Sequence, residues 1–212
     1  MPAPDVTKLL AALARAFARH KLKWYVFGAQ AVAAAGVPRL TADIDVTVDC
    51  LDTAVLLQAL SAAGFQIRDV GDVDSFLSQT RVLPATHRTT GYELDVVLAG
   101  PGLEEEMLNR VILRKIGRTQ IPFIDTNDLV VLKILAGRPK DIEDVAALVR
   151  LQGNELILEI VRRRLHELES LLDDSTLLKQ LNQICARSEA KISPKKPQSR
   201  KNIRSRRAWN RR

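Results

Sequence analysis

The sequence predicts a mixed α/β fold at residues 1–124, a helical part at residues 125–188 and a disordered basic tail at residues 189–212. Three observations support this division. In the first part, apolar segments with the two-residue period of strands alternate with segments of helical period. Only helical spacing remains in the second part. From Ala190 onward the chain is rich in basic residues, prolines and serines and has no acid.

Strands and helices alternate in the first part of the chain. Gly36 and Pro38 end one predicted helix, and the pair Asp52 and Thr53 has the side chains that favour the start of another. The predicted helical segments are 5–20, 29–36, 52–63 and a turn at 73–79, and the predicted strands are 24–28, 43–48, 65–67, 81–87, 92–100, 111–116 and 119–124. A mixed sheet with flanking helices accommodates this order of elements.

Four amphipathic helices are predicted in the second part. The stretch "DTNDLVVLKILAG" at 125–137 has capping residues at its start, an apolar stripe and a glycine at its end. The next helix, 139–153, begins with proline, which is favoured in a first turn, and has acids close behind it. Segments 154–172 and 174–188 have the same apolar spacing and complete the helical part.

Positive charge is concentrated at the C-terminal end. The chain has 32 Lys and Arg residues and 25 Asp and Glu residues. Ten of the bases and none of the acids lie from Ala190 onward, so the remainder has a net charge of about −3. Such a segment cannot bury enough apolar surface to fold alone, and we expect it to be disordered. Its charge favours an arm that binds RNA or DNA, with Trp209 available to stack on a base. A merely solubilising terminus is the alternative.

Composition argues against several classes of protein. The longest uncharged stretch, 24–38, has 15 residues and is too short to span a membrane. No basic leader precedes an apolar segment at the N-terminus, so no secretory signal is predicted. Cys50 and Cys185 are far apart in sequence and do not form the pattern of a disulfide framework or a thiolate metal site. We therefore expect a cytoplasmic protein without a membrane segment.

Two carboxylates lie one residue apart in "RLTADIDVTV" at 39–48. In a strand, alternation places Ile44 and Val46 on one face and Asp43 and Asp45 together on the other. Like charges side by side repel each other. The strand therefore either presents a solvated face or binds a divalent cation between its acids, since hard cations prefer oxygen ligands.

A third acid, Asp95, interrupts the apolar strand "YELDVVLAG" at 92–100, and Glu93 lies two residues before it. A carboxylate buried without a partner is strongly unfavourable. Asp95 therefore either faces solvent or has a partner. If its strand adjoins that of Asp43 and Asp45, the three carboxylates would form one metal site of the kind used in phosphoryl transfer.

Two further segments can contribute to a site. Gly28 lies where the first predicted strand turns into a helix, and such a turn exposes backbone N–H groups to a phosphate, although glycine there is often purely structural. In "LKILAGRPKDIEDV" at 132–145, Lys133 lies on one helix and Asp141 at the start of the next. An acid in that place also complements a helix N-terminus, and a surface lysine also extends along apolar neighbours to solvent.

Together these segments resemble the nucleotidyltransferase superfamily, which includes DNA polymerase β and the aminoglycoside nucleotidyltransferases. More specifically they resemble its AbiEii-type branch, which contains toxins of toxin–antitoxin and phage-defence systems. The similarity spans roughly residues 22–150. It is carried by "GAQAVAAAG" (28–36), "RLTADID" (39–45), "ELDVV" (93–97) and "LKILAGRPKDIEDV" (132–145). Ala29 follows Gly28 where the superfamily usually has serine or, in this branch, glycine.

The resemblance implies a nucleotidyltransferase-like fold and a role for each matching residue. Asp43, Asp45 and Asp95 would be the catalytic carboxylates and would bind Mg²⁺ or Mn²⁺, and Asp95 would also act as the base. The residues implied in nucleotide binding are Gly28, Ala29, Arg39, Thr41, Lys133 and Asp141.

The expected function is transfer of a nucleoside monophosphate from an NTP to a hydroxyl group of an RNA, with tRNA as the leading example, or of a protein. By resemblance, such an enzyme can be the toxin of a pair with a cognate antitoxin. A catalytically weak domain that binds nucleic acid or a partner protein is the alternative, and Ala29 favours it. Transfer to a small molecule such as an antibiotic is a third possibility, which the basic tail disfavours.

Overall fold

A mixed sheet lies at the centre of the computed structural model, which describes residues 5–152 and 155–192. Its strands are β1 (Lys23–Val26), β2 (Asp43–Asp49), β3 (Phe65–Ile67), β4 (Val82–His87), β5 (Glu93–Leu98), β6 (Ile112–Ile116) and β7 (Thr119–Phe123). The strand order is β3-β4-β5-β2-β1-β7-β6. The pairs β2–β5 and β1–β7 are parallel, and the other neighbours are antiparallel. The predicted mixed α/β class is confirmed.

Helices flank the sheet and continue beyond its last strand. They are α1 (Val6–Arg19), α2 (Gly28–Ala34), α3 (Thr53–Ala62), α4 (Val73–Thr80), α5 (Leu103–Leu108), α6 (Thr126–Ala136), α7 (Pro139–Gln152), α8 (Glu155–Leu172) and α9 (Leu177–Ile192). Among the helices within the described ranges, none is both long and apolar enough for a membrane span.

Three sequence predictions are corrected. Helix α5 was not predicted, because its six residues are too few to establish a helical period. Gly28 was predicted to end a strand, but it begins α2. Residues 189–192 were assigned to the disordered tail but belong to the last turn of α9. The rest of the predicted tail, 193–212, lies outside the described residues. The division of the chain after residue 124 remains a prediction.

Alternation along the two central strands separates an apolar face from a polar one. Ile44 and Val46 of β2 and Leu94 and Val96 of β5 are fully buried. Helices α1 and α3 pack against each other, and their buried side chains belong to the same core as these strand residues. Burial of this kind contributes about 25 cal/mol per Å² of apolar surface. The apolar face therefore fixes the register that places the odd-numbered residues of β2 on the opposite face.

Helices α6 to α9 pack on one another, and α6 also contacts α2. Asp128 of α6 is fully buried and accepts hydrogen bonds from Arg110, which follows α5, and from Arg164 of α8. A buried carboxylate is stable only when it is paired, so these two arginines connect α8 and the segment after α5 to α6. Gly137 ends α6 in a left-handed conformation, as its sequence position predicts.

Candidate active site

Four carboxylates lie on one face of the parallel strands β2 and β5. The register pairs Asp43 with Glu93 and Asp45 with Asp95. The prediction that the strand of Asp95 adjoins that of Asp43 and Asp45 is therefore confirmed. Glu93 was not predicted as a site residue, because only the register reveals that it lies opposite Asp43. We call these four residues the acidic face.

The surroundings of Asp45 on the acidic face disfavour its charged form. Burial of this side chain, together with repulsion from Asp43 and Asp95, raises its pKa from 3.8 to about 6. Lys133 and Lys140 lower the pKa, but by less than the other effects raise it. The like charges on this face are therefore only partly compensated by the neighbouring lysines.

Gly28 is required by the position of the Asp45 carboxylate. Its φ angle is +61°, and a Cβ atom at this position would lie 1.8 Å from Oδ2 of Asp45. The adjacent Phe27 donates its backbone N–H to the carbonyl oxygen of Asp45 at 3.0 Å. The turn before α2 is thus built against the acid. The predicted contact of Gly28 and Ala29 with a phosphate remains a prediction.

The loop before β2 orients Asp43. The hydroxyl group of Thr41 donates a hydrogen bond to Oδ1 of Asp43. Tyr92 donates from its own hydroxyl to the carbonyl oxygen of Thr41 at 3.1 Å and accepts from Nε2 of Gln30 at 3.3 Å. Thr41 was predicted to bind the nucleotide, and the structure places it as a direct partner of the first carboxylate.

Lys133 lies inside a network of ion pairs. Its side chain is 8% exposed, and Nζ donates to Oδ1 of Asp141 at 2.8 Å and to Oδ2 of Asp144 at 2.7 Å. Nε of Arg138 donates to Oδ2 of Asp141 at 2.5 Å. Nε of Arg39 lies 3.2 Å from Oδ1 of Asp144, without the orientation of a hydrogen bond. We call these five residues the ion-pair network; it joins α6, α7 and the loop before β2.

The carboxylates of the ion-pair network are stabilised by their partners. Burial would raise the pKa of Asp141, but hydrogen bonds from Arg138 and Lys133 outweigh it and lower the pKa. Lys133 and Asp141, both predicted to bind a nucleotide, are therefore bonded to each other. Asp144 was not predicted as a site residue, although its spacing of three from Asp141 on a helix was a signal that both share a face.

A polar cavity of about 290 Å³ brings most of the predicted residues together. Its walls include eight of the nine predicted site residues: Gly28, Ala29, Arg39, Thr41, Asp43, Asp45, Asp95 and Lys133. The ninth, Asp141, does not line it. Arg138 and Lys140 add two cations that the sequence analysis did not assign to the site. The cavity thus combines an acidic floor with basic walls, the charge pattern that suits a nucleotide and its cation.

A second cavity, of about 250 Å³, adjoins the first at Asp45, and Asp141 lies in its wall. Its other walls are mainly apolar and aromatic, with Tyr25, Phe27 and Leu132 among them. Burial raises the pKa of Tyr25 to about 12, so its hydroxyl is neutral at physiological pH. This cavity was not predicted, because its walls come from segments that are distant in the sequence.

Asp95 and Glu93 share one arginine. Nη2 of Arg68 lies 3.2 Å from Oδ1 of Asp95, and Nη1 lies 3.4 Å from Oε1 of Glu93. Arg68 directly follows β3, two strands away from β5. Arg68 was not predicted as a site residue.

The residues of the acidic face fit a hard divalent cation in kind and in register. Carboxylate oxygens are the ligands that Mg²⁺ and Mn²⁺ prefer, and the register of β2 and β5 places Asp43, Asp45 and Asp95 on one face of adjacent strands. Within the described part of the chain, however, no three acid, histidine or cysteine side chains are already grouped as a metal site. The carboxylates would therefore have to reorient to bind a cation together.

The fold is similar to that of an antibiotic-resistance factor of known structure. The solution structure of the antibiotic-resistance factor ANT(2'')-Ia has a TM-score of 0.55 and 14% identity, over 79% of this chain and 94% of that chain. The crystal structure of ANT(2'')-Ia in complex with adenylyl-2''-tobramycin has a TM-score of 0.52 and 14% identity, over 73% of this chain and 94% of that chain. At this identity the likeness concerns the fold.

A comparison at the level of sequence gives the family. None of the curated proteins matches the chain. Residues 6–193 match the model of a family described as "Nucleotidyltransferase of unknown function (DUF6036)", which covers most of the chain. The predicted relation to nucleotidyltransferases is confirmed at this level, and the chain belongs to the DUF6036 nucleotidyltransferase family.

Proposed function

We propose that this protein is a metal-dependent nucleotidyltransferase that moves a nucleoside monophosphate from an NTP to a hydroxyl group of an RNA or of a protein. The observation that carries the proposal is the register of β2 and β5, which aligns Asp45 with Asp95 on the face that bears Asp43. A structural surface would have no need of adjacent like charges, because they repel each other. A role in binding a cation and phosphates accounts for them.

Asp43, Asp45 and Asp95 would hold Mg²⁺ or Mn²⁺. When bound, the cation would neutralise charge on the nucleotide phosphates. Thr41 holds one oxygen of Asp43, and the turn at Gly28 holds Asp45 close to the start of α2. The loop before β2 and the turn at Gly28 thus position two of the three carboxylates, and the third, Asp95, is bonded to Arg68.

Arg138 and Lys140 line the polar cavity close to the acidic face, and Arg39 lies on the same wall. Their positive charges suit the oxygens of a triphosphate, and arginine can bind two such oxygens at once. To contact a nucleotide as predicted, the ammonium group of Lys133 would have to bind it in addition to, or in place of, the carboxylates of Asp141 and Asp144. We therefore assign Lys133 chiefly to positioning these cations around the cavity.

The reaction would need one proton acceptor. An acceptor hydroxyl would form a bond to the α-phosphorus of the NTP, the bond to pyrophosphate would break, and the hydroxyl proton would pass to a carboxylate. Asp95 is our candidate for that carboxylate, because it lies on the rim of the acidic face and is 40% exposed. Positioning and charge stabilisation account for most of the acceleration in such transfers.

RNA, with tRNA as the first candidate, is the acceptor that the predicted basic tail favours; residues 193–212 of this tail lie outside the described residues. The AbiEii-type branch, a role as a toxin and a cognate antitoxin belong to the same proposal. They rest on the sequence resemblance described above. A small-molecule acceptor is the second candidate, and the second cavity beside Asp45, with its mainly apolar and aromatic walls, favours it.

The test is transfer of label by the purified full-length chain. Each α-labelled NTP is incubated with the protein, Mg²⁺ and total RNA, and the products are divided for nuclease and protease treatment. Asp43→Asn should reduce the rate by at least about a hundredfold. Asp49→Asn is the matched control, because this exposed acid ends the same strand and should leave the rate unchanged.

Label that disappears with nuclease identifies RNA as the acceptor, and label that disappears with protease identifies a protein. Label in neither fraction but in a small product would support the second candidate. Absence of label with every NTP and acceptor, or an unchanged rate in Asp43→Asn, would overturn the enzyme and favour the alternative of a catalytically weak binding domain.

A further inference from the structure

Arg68 makes both ion pairs in which the acidic face takes part among the described residues. Its guanidinium group is shared between Asp95 and Glu93, at 3.2 and 3.4 Å. The backbone N–H of Arg68 donates to the carbonyl oxygen of Pro84 on β4 at 3.0 Å, so the base of this side chain is fixed beside the sheet. The arginine therefore approaches the acidic face from the β4 side.

A guanidinium group and a divalent cation compete for the same carboxylate. Arg68 lies against Oδ1 of Asp95, which is a lone-pair site that a metal would need, and its charge also repels a cation nearby. The other two predicted metal ligands are not held in this way. Asp43 accepts a neutral hydroxyl group from Thr41, and Asp45 lies against the turn at Gly28.

The ion pair is placed so that it can exchange. The side chains of Arg68, Asp95 and Glu93 are 44%, 40% and 56% exposed. Exposed ion pairs shift an equilibrium by no more than about fivefold, because water screens them. By contrast, a buried pair such as that of Lys133 and Asp141 would hold its carboxylate permanently.

We propose that Arg68 is a positioning residue that holds Asp95 through an exchangeable ion pair and releases it when a divalent cation binds. This inference rests on the proposed function in one respect, namely that the cation binds at Asp95. Glu93 would serve as the second anchor, which retains the arginine beside the site after Asp95 has left it. Arg68 would thereby set the concentration of divalent cation that the site requires.

The test measures binding of Mn²⁺ alone to the full-length protein, by electron paramagnetic resonance of the free ion. Arg68→Gln should bind Mn²⁺ about two- to fivefold more tightly than the unmodified protein, because a competing charge is removed. Arg68→Lys, which keeps the charge but not the forked geometry, should fall between the two. Arg88→Gln is the matched control. Arg88 directly follows β4, and its guanidinium donates a hydrogen bond to Oγ of Ser61. Its replacement should therefore not change the affinity for Mn²⁺.

The outcomes separate this inference from the proposed function. If the unmodified protein binds Mn²⁺ and Asp43→Asn does not, but Arg68→Gln binds equally or more weakly, the role of Arg68 is refuted while the metal site stands. If no variant binds Mn²⁺, both are refuted. Circular dichroism should show the same thermal midpoint for Arg68→Gln and Arg88→Gln within about 2 °C, since both side chains are exposed.

Discussion

The acidic face and the ion-pair network both contribute residues to the wall of the polar cavity, but they differ in whether their carboxylates are paired with cations. In the network, the buried carboxylates of Asp141 and Asp144 each have a cation within 2.8 Å. On the acidic face, Asp45 is surrounded by other carboxylates, and its pKa is raised to about 6. The paired charges of the network therefore stabilise the folded chain, whereas the charge of Asp45 on the acidic face destabilises it.

This comparison identifies the part of the site where a ligand is needed. Charges that only support structure gain nothing from being left without partners, because an unpaired buried charge destabilises the folded chain. Both buried carboxylates of the network already have a cation of this chain as a partner. The acidic face would be completed by positive charge from outside the chain, and this is the physical content of the proposed metal site.

The largest expected effect is on the network. Lys133→Met keeps most of the side-chain volume but leaves two buried carboxylates without their shared cation. We expect the free energy of unfolding to fall by about 3–5 kcal/mol, as for other buried ion pairs that lose one partner. Urea unfolding followed by circular dichroism measures this change.

Lys140→Met is the matched control for that experiment. Lys140 is also a lysine on the wall of the polar cavity, but it is exposed, and its replacement should change the free energy of unfolding by less than about 0.5 kcal/mol. Equal losses in the two variants would contradict a structural role for the network and return Lys133 to the role of a simple phosphate ligand.

Much of the site could be predicted from the sequence, because short-range patterns determine it. The alternation around Asp43 and Asp45 defines a polar face, and Asp95 is conspicuous in an apolar strand. The glycine at the start of α2 was also recognisable, although the reason for it was not. Its role follows from a contact with Asp45 that is 17 residues away in the chain and that only the folded turn produces.

The remaining features depend on long-range packing. Arg68 precedes Asp95 by 27 residues, and no pattern joins them until β4 is inserted between β3 and β5. The partners of Lys133 depend on the angle between α6 and α7. Gly137 and Pro139 separate the two helices in the sequence but do not determine this angle. The apolar cavity likewise needs strands and a helix from separate segments. Spacing in the sequence carries no information about such contacts.

A second, smaller loss of stability is expected where the turn at Gly28 approaches Asp45 of the acidic face. In Gly28→Ala, the alanine would have to adopt a left-handed backbone conformation. Its Cβ atom would lie 1.8 Å from Oδ2 of Asp45. Backbone strain and displacement of the carboxylate together should lower the free energy of unfolding by about 2–4 kcal/mol.

Gly71→Ala separates the two contributions. Gly71 has a similar φ angle of +73°, but a Cβ atom there would meet nothing within 4 Å. Its replacement should cost only the backbone strain, about 1–2 kcal/mol. If Gly28→Ala is no more destabilising than Gly71→Ala, the close approach to Asp45 does not constrain the turn.

The smallest expected effect has the opposite sign and arises on the acidic face itself. Because the pKa of Asp45 is raised from 3.8 to about 6 in the folded chain, folding takes up a proton between these pH values. The favourable contribution of this group is fully present below pH 3.8 and is lost as the pH rises through about 6. Asp45→Asn removes the charge. It should therefore raise the free energy of unfolding at pH 7.5 by about 1–3 kcal/mol.

The pH dependence distinguishes this origin from a general change in packing. The difference between Asp45→Asn and the unmodified chain should shrink towards zero at pH 4, where the aspartic acid of the folded chain is protonated. Asp49→Asn, at the exposed end of the same strand, should show no such difference at either pH. Addition of Mg²⁺ at pH 7.5 should stabilise the unmodified chain more than Asp45→Asn, because the variant lacks one of the three carboxylates proposed to bind the cation. An Asn variant that is less stable than the parent at pH 7.5 would mean that Asp45 is compensated within the fold, and the contrast between the acidic face and the ion-pair network would then disappear.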